Sequence, residues 1–142
     1  MNRVLGKVAI VTGSGSGLGR AEAMMFAREG AKVAVTDIND KNGMETVALI
    51  RQEGGEAEYW HLNVSVEKEC ADVLAKVVEK FGKLDILVNN AGITGPDVPT
   101  EEVEEADWDK MFAINVKSVL FMTKHAIQYM RKNGKGAIVN TS

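Results

Sequence analysis

The chain has 142 residues, of which 45% are hydrophobic and 26% charged. These values predict one globular domain and exclude a disordered or fibrous chain. Its net charge of −3 argues against nucleic acid as a partner, and its one cysteine, Cys70, excludes an intrachain disulfide and fits a reducing compartment. Two well-separated histidines, His61 and His125, do not predict a metal site. Because no apolar run has membrane-spanning length and residues 1–7 lack a signal-peptide core, we expect a cytoplasmic protein with no membrane contact.

Short apolar runs alternate with helical patterns along the chain. Four uninterrupted runs are typical of strands buried on both faces of a sheet, and they span residues 8–11, 33–35, 86–88 and 137–139. A weaker strand is predicted at residues 59–62. This alternation predicts a doubly wound α/β fold with a parallel sheet and helices on both faces.

The helices are predicted from apolar spacing and from glycines at their ends. They span about residues 18–28, 44–53, 70–81 and 107–132. Residues 93–107 form the one long irregular segment, which contains both prolines. We interpret it as a solvated loop with a short acidic helix, or alternatively as a loop near a ligand.

The first strand runs directly into a glycine-rich loop at residues 12–19, which reads Thr-Gly-Ser-Gly-Ser-Gly-Leu-Gly. Glycines allow a sharp turn and a close approach to a pyrophosphate, and the N–H groups of the following helix face the anion. Glycines also make ordinary tight turns, but the position after the first strand of a β-α-β unit favours nucleotide binding. No Gly-Lys-Ser/Thr follows at P-loop spacing.

The second strand ends in a carboxylate, Asp37. At this position a carboxylate can accept hydrogen bonds from the adenosine ribose and repel a 2′-phosphate. The alternative is a turn aspartate before Asn39 and Asp40. Together with the glycine loop, Asp37 predicts a preference for NAD over NADP, which Lys41, the nearest basic residue in the sequence, would soften.

Several motifs spread over the chain resemble those of the short-chain dehydrogenase/reductase family. They are the glycine spacing at Gly13, Gly17 and Gly19, the Asn-Asn-Ala-Gly sequence at residues 89–92, Asn115 in the long helix, and the Asn-Thr-Ser sequence at residues 140–142. The resemblance implies a Rossmann-like sheet in the strand order 3-2-1-4-5. It also implies that residues 1–142 form an incomplete NAD-binding domain of this family.

The resemblance assigns a cofactor role to thirteen residues. For the pyrophosphate it implies Gly13, Ser14, Ser16, Gly17 and Leu18, with Gly19 allowing close packing of helix and strand. For the adenosine it implies Asp37 at the ribose, Ile38 at the adenine, and Asn63 and Val64 at the adenine edge. For the nicotinamide ribose it implies Asn90, Ala91 and Gly92. The family usually has Asp-Val where this chain has Asn63-Val64, and we expect the amide of Asn63 to accept from the adenine amino group.

Asn115 falls on the apolar helical stripe formed by Met111, Asn115, Val119, Met122, Ala126 and Met130. A buried amide needs specific partners, since an unsatisfied one costs about 1–3 kcal/mol. Asn115 is therefore either a structural link from the helix to the next strand or, as in the family, a catalytic residue that places a water in a proton relay.

Two further side chains are given structural interpretations. Trp108 is interpreted as a packing residue and Cys70 as a core residue.

The implied activity is NAD-dependent hydride transfer between nicotinamide and an alcohol or carbonyl substrate. The family's catalytic serine would follow Ser142, and neither Tyr59 nor Tyr129 has a lysine four residues later. The chain is thus either the inactive N-terminal part of a dehydrogenase or a non-catalytic dinucleotide-binding module. We also expect a homo-oligomer, because residues 137–141 would form an exposed edge strand and part of the stripe that contains Asn115 would lose its cover.

Overall fold

The computed structural model describes residues 2–142, in which five strands form one parallel sheet. The strands are β1 (Val8–Val11), β2 (Lys32–Asp37), β3 (Glu56–His61), β4 (Ile86–Asn89) and β5 (Ala137–Asn140). Their order is β3-β2-β1-β4-β5, and every neighbouring pair is parallel. Both the predicted fold class and the predicted strand order are confirmed.

Five α-helices connect the strands. They are α1 (Gly17–Arg28), α2 (Asp40–Gln52), α3 (Glu67–Phe81), α4 (Glu105–Phe112) and α5 (Ser118–Lys132). A π-helical segment, Ala113–Lys117, joins α4 to α5, so the long helix predicted at residues 107–132 has three parts. The loop before α4 is exposed and contains a 3₁₀ turn at Thr100–Glu102, which confirms a solvated loop leading to an acidic helix.

Two apolar clusters hold the helices to opposite faces of the sheet. On one face Ile10 and Leu87 pack with side chains of α3 and α5, among them Leu74 and Met122. On the other face Val11, Val33 and Val35 pack with side chains of α1 and α2. Cys70 is fully buried in the first cluster, as predicted, and burial raises the pKa of its thiol to about 12.

The sheet order determines where a ligand can bind. Chain connections from β1 run outward to β2 and β3, and the chain then returns through α3 to β4 on the other side of β1. The order reverses between β1 and β4, and in such sheets the crevice lies at the carboxyl ends of these strands. None of the helices within residues 2–142 combines the length and the apolar character that a membrane span requires.

The exposure expected for part of the apolar stripe falls on its N-terminal half. Asn115 is exposed and Met111 and Val119 are half-buried, whereas Met122, Ala126 and Met130 are buried. The exposed apolar side chains lie instead on another face of the α4–α5 segment, at Trp108, Phe112, Val116 and Leu120. Trp108 is 54% exposed and stacks on Phe112, so it packs within its own helix at the surface. β5 does form an edge of the sheet, as expected.

Candidate functional site

A cavity of about 360 Å³ opens at the carboxyl edge of the sheet, in the size range of small-molecule sites. It brings together most of the residues predicted to bind a cofactor. Its lining comprises Gly13, Ser16, Asp37, Ile38, Asn63, Val64, Asn90, Ala91 and Gly92, together with Leu62, Ile93 and Ile114. The glycine loop, the end of β2, the end of β3 and the loop after β4 therefore meet at one site.

Gly13 allows the first loop to touch the loop after β4. Its φ of +63° lies in the left-handed region, where a side chain is strained. A Cβ at this position would lie 2.8 Å from the Cα of Ala91. Glycine is thus required here both by backbone conformation and by space.

Thr12 and Asn90 lock these two loops together. Thr12 Oγ1 accepts hydrogen bonds from the N–H groups of Asn90 and Ala91, each at 3.0 Å. Asn90 Nδ2 donates to the carbonyl oxygens of Thr12 and Gly13, at 3.0 and 3.2 Å. The amide nitrogen of Asn90 is therefore committed to the glycine loop. The role of Thr12 was not predicted, although its position before Gly13 at the end of a strand was a usable signal.

The N-terminus of α1 presents unpaired donors beside the cavity. No residue in the range 2–142 accepts a hydrogen bond from the N–H groups of Gly17, Leu18 or Gly19. Ser16 precedes them, is exposed, and does not cap the helix with its side chain. Free N–H groups at a helix N-terminus carry partial positive charge and favour an anion.

Gly19 brings α1 against the glycine loop. A Cβ at this position would overlap the carbonyl oxygen of Gly13 and the side-chain nitrogen of Asn90. The helix can therefore reach this position only with glycine in its first turn.

Ser14, which was expected at the pyrophosphate, lies beneath the glycine loop and does not line the cavity. This residue is fully buried, its N–H donates to the carbonyl oxygen of Thr36 at 2.9 Å, and its hydroxyl donates to that of Val11 at 2.8 Å. Ser14 supports the loop from below and has no surface to offer a ligand. Hydrogen bonds of this kind depend on the neighbouring strand, which loop spacing does not reveal.

Asp37 lies at the cavity, where two backbone N–H groups fix the position of its carboxylate. Its Oδ2 accepts from the N–H of Gly15 and its Oδ1 from the N–H of Asn39, both at 2.8 Å. Each oxygen keeps a further lone pair for another donor. The side chain is partly exposed on the cavity wall, next to Ile38, which is 62% exposed.

Arg20 places a cation at the glycine loop, a role that was not predicted from the sequence. Its guanidinium donates to the carbonyl oxygen of Gly15 and to Thr46 Oγ1, and it pairs with Glu45 at 3.2 Å. Its charge is thus already partnered within the protein.

Asn63, which was expected to accept from an adenine amino group, lies at the cavity with its side-chain oxygen bonded to its own turn. Asn63 Oδ1 already accepts from the N–H of Ser65 at 3.1 Å and from its hydroxyl at 2.6 Å. A carbonyl oxygen has two lone pairs, and both are used. The N–H of the next residue, Val64, has no acceptor among the described residues and stays available at the cavity.

Asn115 has specific partners, as expected, but it is exposed rather than buried. Its Oδ1 accepts from the N–H of Ile93 at 2.8 Å, and its Nδ2 donates to the carbonyl oxygen of Ile93 at 2.9 Å. Asn115 lies in the π-helical segment and ties it to the loop after β4, not to the next strand. π-Helical turns of this kind are frequent at functional sites.

The similarity to known proteins agrees with this arrangement. A family model described as short chain dehydrogenase matches residues 7–142. An uncharacterized oxidoreductase of Thermotoga maritima is 50% identical over 137 residues, which are 96% of this chain and 53% of that protein. A cyclopentanol dehydrogenase of Comamonas testosteroni is 42% identical over 142 residues, 100% of this chain and 56% of that protein.

Solved structures agree as well. The crystal structure of an NAD⁺-bound xylitol dehydrogenase matches with a TM-score of 0.95 and 34% identity, over 99% of this chain and 54% of the other. The chain spans about half the length of the curated relatives it matches. With the family model matching nearly its whole length, the chain belongs to the short-chain dehydrogenase family.

Proposed function

We propose that this chain is the dinucleotide-binding part of an NAD-dependent oxidoreductase. The observation that carries the proposal is the Asp37 carboxylate, which the N–H groups of Gly15 and Asn39 hold at the cavity wall. When bound, the nicotinamide accepts or donates a hydride at a carbon of an alcohol or carbonyl substrate. The residues described here bind and orient that cofactor.

The donor set of the cleft fits a dinucleotide. The free N–H groups of Gly17, Leu18 and Gly19 suit the pyrophosphate, and the exposed hydroxyl of Ser16 adds a donor there. Ile38 offers an apolar surface for the adenine, and the N–H of Val64 offers a donor for its edge. On the opposite side, Asn90, Ala91 and Gly92 line the region proposed for the nicotinamide ribose.

Charge favours NAD over NADP at this site. The Asp37 carboxylate would lie against a 2′-phosphate and repel it. The cation at the loop, Arg20, is already bonded to Glu45, Thr46 and a loop carbonyl, so it offers little compensation. Lys41 is exposed at the start of α2 and is the basic residue that would soften the preference.

A small alcohol or ketone is the proposed substrate class. The names of the relatives, cyclopentanol dehydrogenase and xylitol dehydrogenase, support it. Asn115 is proposed to serve catalysis by shaping the loop after β4 through Ile93.

We propose that turnover belongs to a longer protein, and that the 142-residue chain binds cofactor without catalysing the reaction. Cofactor-dependent turnover by the chain itself would contradict this.

Titration calorimetry with NAD⁺ and NADP⁺ tests the proposed function. We expect NAD⁺ to bind at least about tenfold more tightly, the effect of about 1.4 kcal/mol from one charged contact. ADP-ribose, which lacks only the nicotinamide ring, should retain much of the affinity because the proposed contacts are made to the adenosine, the pyrophosphate and the second ribose. Tighter binding of NADP⁺, or no binding of either dinucleotide, would contradict the proposal.

We further propose a cytoplasmic location and a homo-oligomer. Two surfaces of the chain are available for self-association: the edge strand β5, where Val139 is 48% exposed, and the α4–α5 face, where Leu120 is 60% exposed. Unpaired edge groups and exposed apolar side chains both recruit other chains.

Sedimentation velocity at micromolar concentration is expected to show self-association of the 142-residue chain. Val139→Lys should move the distribution toward monomer if the edge strand is the contact, and Leu120→Lys should do so if the helix face is. A stable monomer of the unsubstituted chain would contradict this expectation.

A further inference from the structure

Tyr59 lies outside the cavity lining, but its hydroxyl is hydrogen-bonded to Asp37, which belongs to that lining. It stands on β3, whose register pairs Asp37 with His61. The Tyr59 hydroxyl lies 2.9 Å from the carbonyl oxygen of Asp37 and 2.7 Å from Oδ1 of Asp40, so its one proton is shared between two acceptors. The Asp37 carbonyl oxygen also accepts from the N–H of Leu62 at 3.0 Å.

Asp40 also helps to fix the turn between β2 and α2, because it is bonded to two side chains of β3. It is the first residue of α2, and its Oδ1 also contacts Nδ1 of His61 at 2.8 Å. Hydrogen bonds from Tyr59 and His61 lower the pKa of the Asp40 carboxyl, so it stays an ionised acceptor. Burial and the Asp40 carboxylate raise the pKa of Tyr59, so its hydroxyl keeps its proton.

The tyrosine ring is itself fixed by a glycine on the neighbouring helix. Gly43 in α2 is buried, and a Cβ there would overlap Cε2 and Cδ2 of the Tyr59 ring. The ring therefore packs directly against the backbone of α2. This packing fixes the orientation of the ring, so the Tyr59 hydroxyl points toward the turn between β2 and α2.

Asp37 is consequently held from both ends. Leu62 and Tyr59 hold its carbonyl oxygen, while Gly15 and Asn39 hold its carboxylate. We propose that Tyr59 is a positioning residue that sets the cofactor selectivity of this site by fixing the backbone beneath Asp37. The inference rests on the proposed function, in which Asp37 binds the adenosine ribose.

Fixing this backbone matters because selectivity depends on where the carboxylate stays. When the carboxylate moves away, Coulomb repulsion of a 2′-phosphate weakens, and hydrogen bonding to the ribose hydroxyls is lost over a short distance. A looser turn would let the Asp37 side chain swing from a 2′-phosphate but would leave the ribose hydroxyls less well bound. The two dinucleotides would then respond differently.

The test is Tyr59→Phe, which keeps the ring on Gly43 and removes only the hydroxyl. By calorimetry we expect NAD⁺ to bind about three- to tenfold more weakly, the effect of losing one hydrogen bond, and NADP⁺ to change by less than about twofold. Tyr129→Phe is the matched control, since it makes the same change in the chain's other tyrosine, on α5, and should leave both affinities unchanged.

Amide hydrogen exchange gives a readout independent of the cofactor. The N–H groups of Gly15 and Asn39, which donate to the Asp37 carboxylate, should exchange faster in Tyr59→Phe than in Tyr129→Phe. Unchanged exchange at both amides would overturn the positioning role.

The binding outcomes separate the inference from the proposed function. If the unsubstituted chain prefers NAD⁺ and Tyr59→Phe weakens both dinucleotides by the same factor, or neither, then Tyr59 does not set selectivity and the inference alone fails. If the unsubstituted chain prefers NADP⁺ or binds neither dinucleotide, the proposed function fails, and the inference fails with it.

Discussion

Asp37→Ala is expected to weaken NAD⁺ binding by about ten- to hundredfold, because hydrogen bonds to a charged group contribute about 1.5–3 kcal/mol. NADP⁺ binding should change far less, because the lost ribose contacts are offset by the lost repulsion of the 2′-phosphate. The ratio of the two affinities, measured by calorimetry, should therefore fall toward one.

Asp37→Asn separates the charge of this residue from its hydrogen bonds. An asparagine keeps one oxygen acceptor for the N–H of Gly15 or Asn39 but carries no charge. We expect its NAD⁺ affinity to lie between those of the unsubstituted chain and Asp37→Ala. If Asp37→Ala retains the original preference for NAD⁺, then Asp37 does not contact the bound cofactor.

Gly19→Val is expected to abolish measurable NAD⁺ binding. Its side chain would overlap the Gly13 carbonyl oxygen and the Asn90 amide, so α1 must move away from the glycine loop. Overpacking of this kind costs about 1–3 kcal/mol of folding stability, which urea denaturation would measure. The displaced helix would also carry its free N–H groups away from the pyrophosphate position.

Ala21→Val is the control for this substitution. It places the same β-branched side chain in the same helix, at an exposed position. It should reduce NAD⁺ affinity by less than about twofold, since only a small helix-propensity difference is involved. Equal losses in Gly19→Val and Ala21→Val would mean that helix propensity, rather than contact with the loop, explains the effect.

The sequence predicted the strands that are continuous apolar runs better than it predicted β3. β1 and β4 are continuous apolar runs that are buried on both faces, and the structure places them where the runs lie. β3 begins at Glu56, three residues before its predicted start, because the polar residues at that end belong to an edge strand with a solvated side. Pairing with the whole of β2, rather than hydrophobicity, determines its length.

The error at Asn115 has a different cause. Its predicted place on the buried stripe assumed one unbroken α-helix with 3.6 residues per turn. The π-helical segment Ala113–Lys117 has a wider turn, so the residues after it are rotated relative to those before it. Met122 and Met130 are buried, while Asn115 faces the loop at Ile93.

The sequence motifs predicted which residues lie at the site, but not which hydrogen bonds their polar groups make. Gly13, Asp37 and Ala91 lie at the cavity, as their motifs indicate. Ser14 and Asn63 use their hydrogen-bonding capacity on Thr36 and Ser65 instead. Thr36 lies on β2, and only the folded chain brings it to Ser14, whereas Ser65 lies two residues after Asn63 in the same turn.

A crystal structure of the chain with NAD⁺ would show directly whether Asp37 and the N-terminus of α1 bind the cofactor. We expect adenosine ribose hydroxyls within about 3 Å of the Asp37 carboxylate and pyrophosphate oxygens at the N–H groups of Gly17, Leu18 and Gly19. A dinucleotide bound elsewhere on the chain, or bound in this cleft without contact to Asp37, would contradict it.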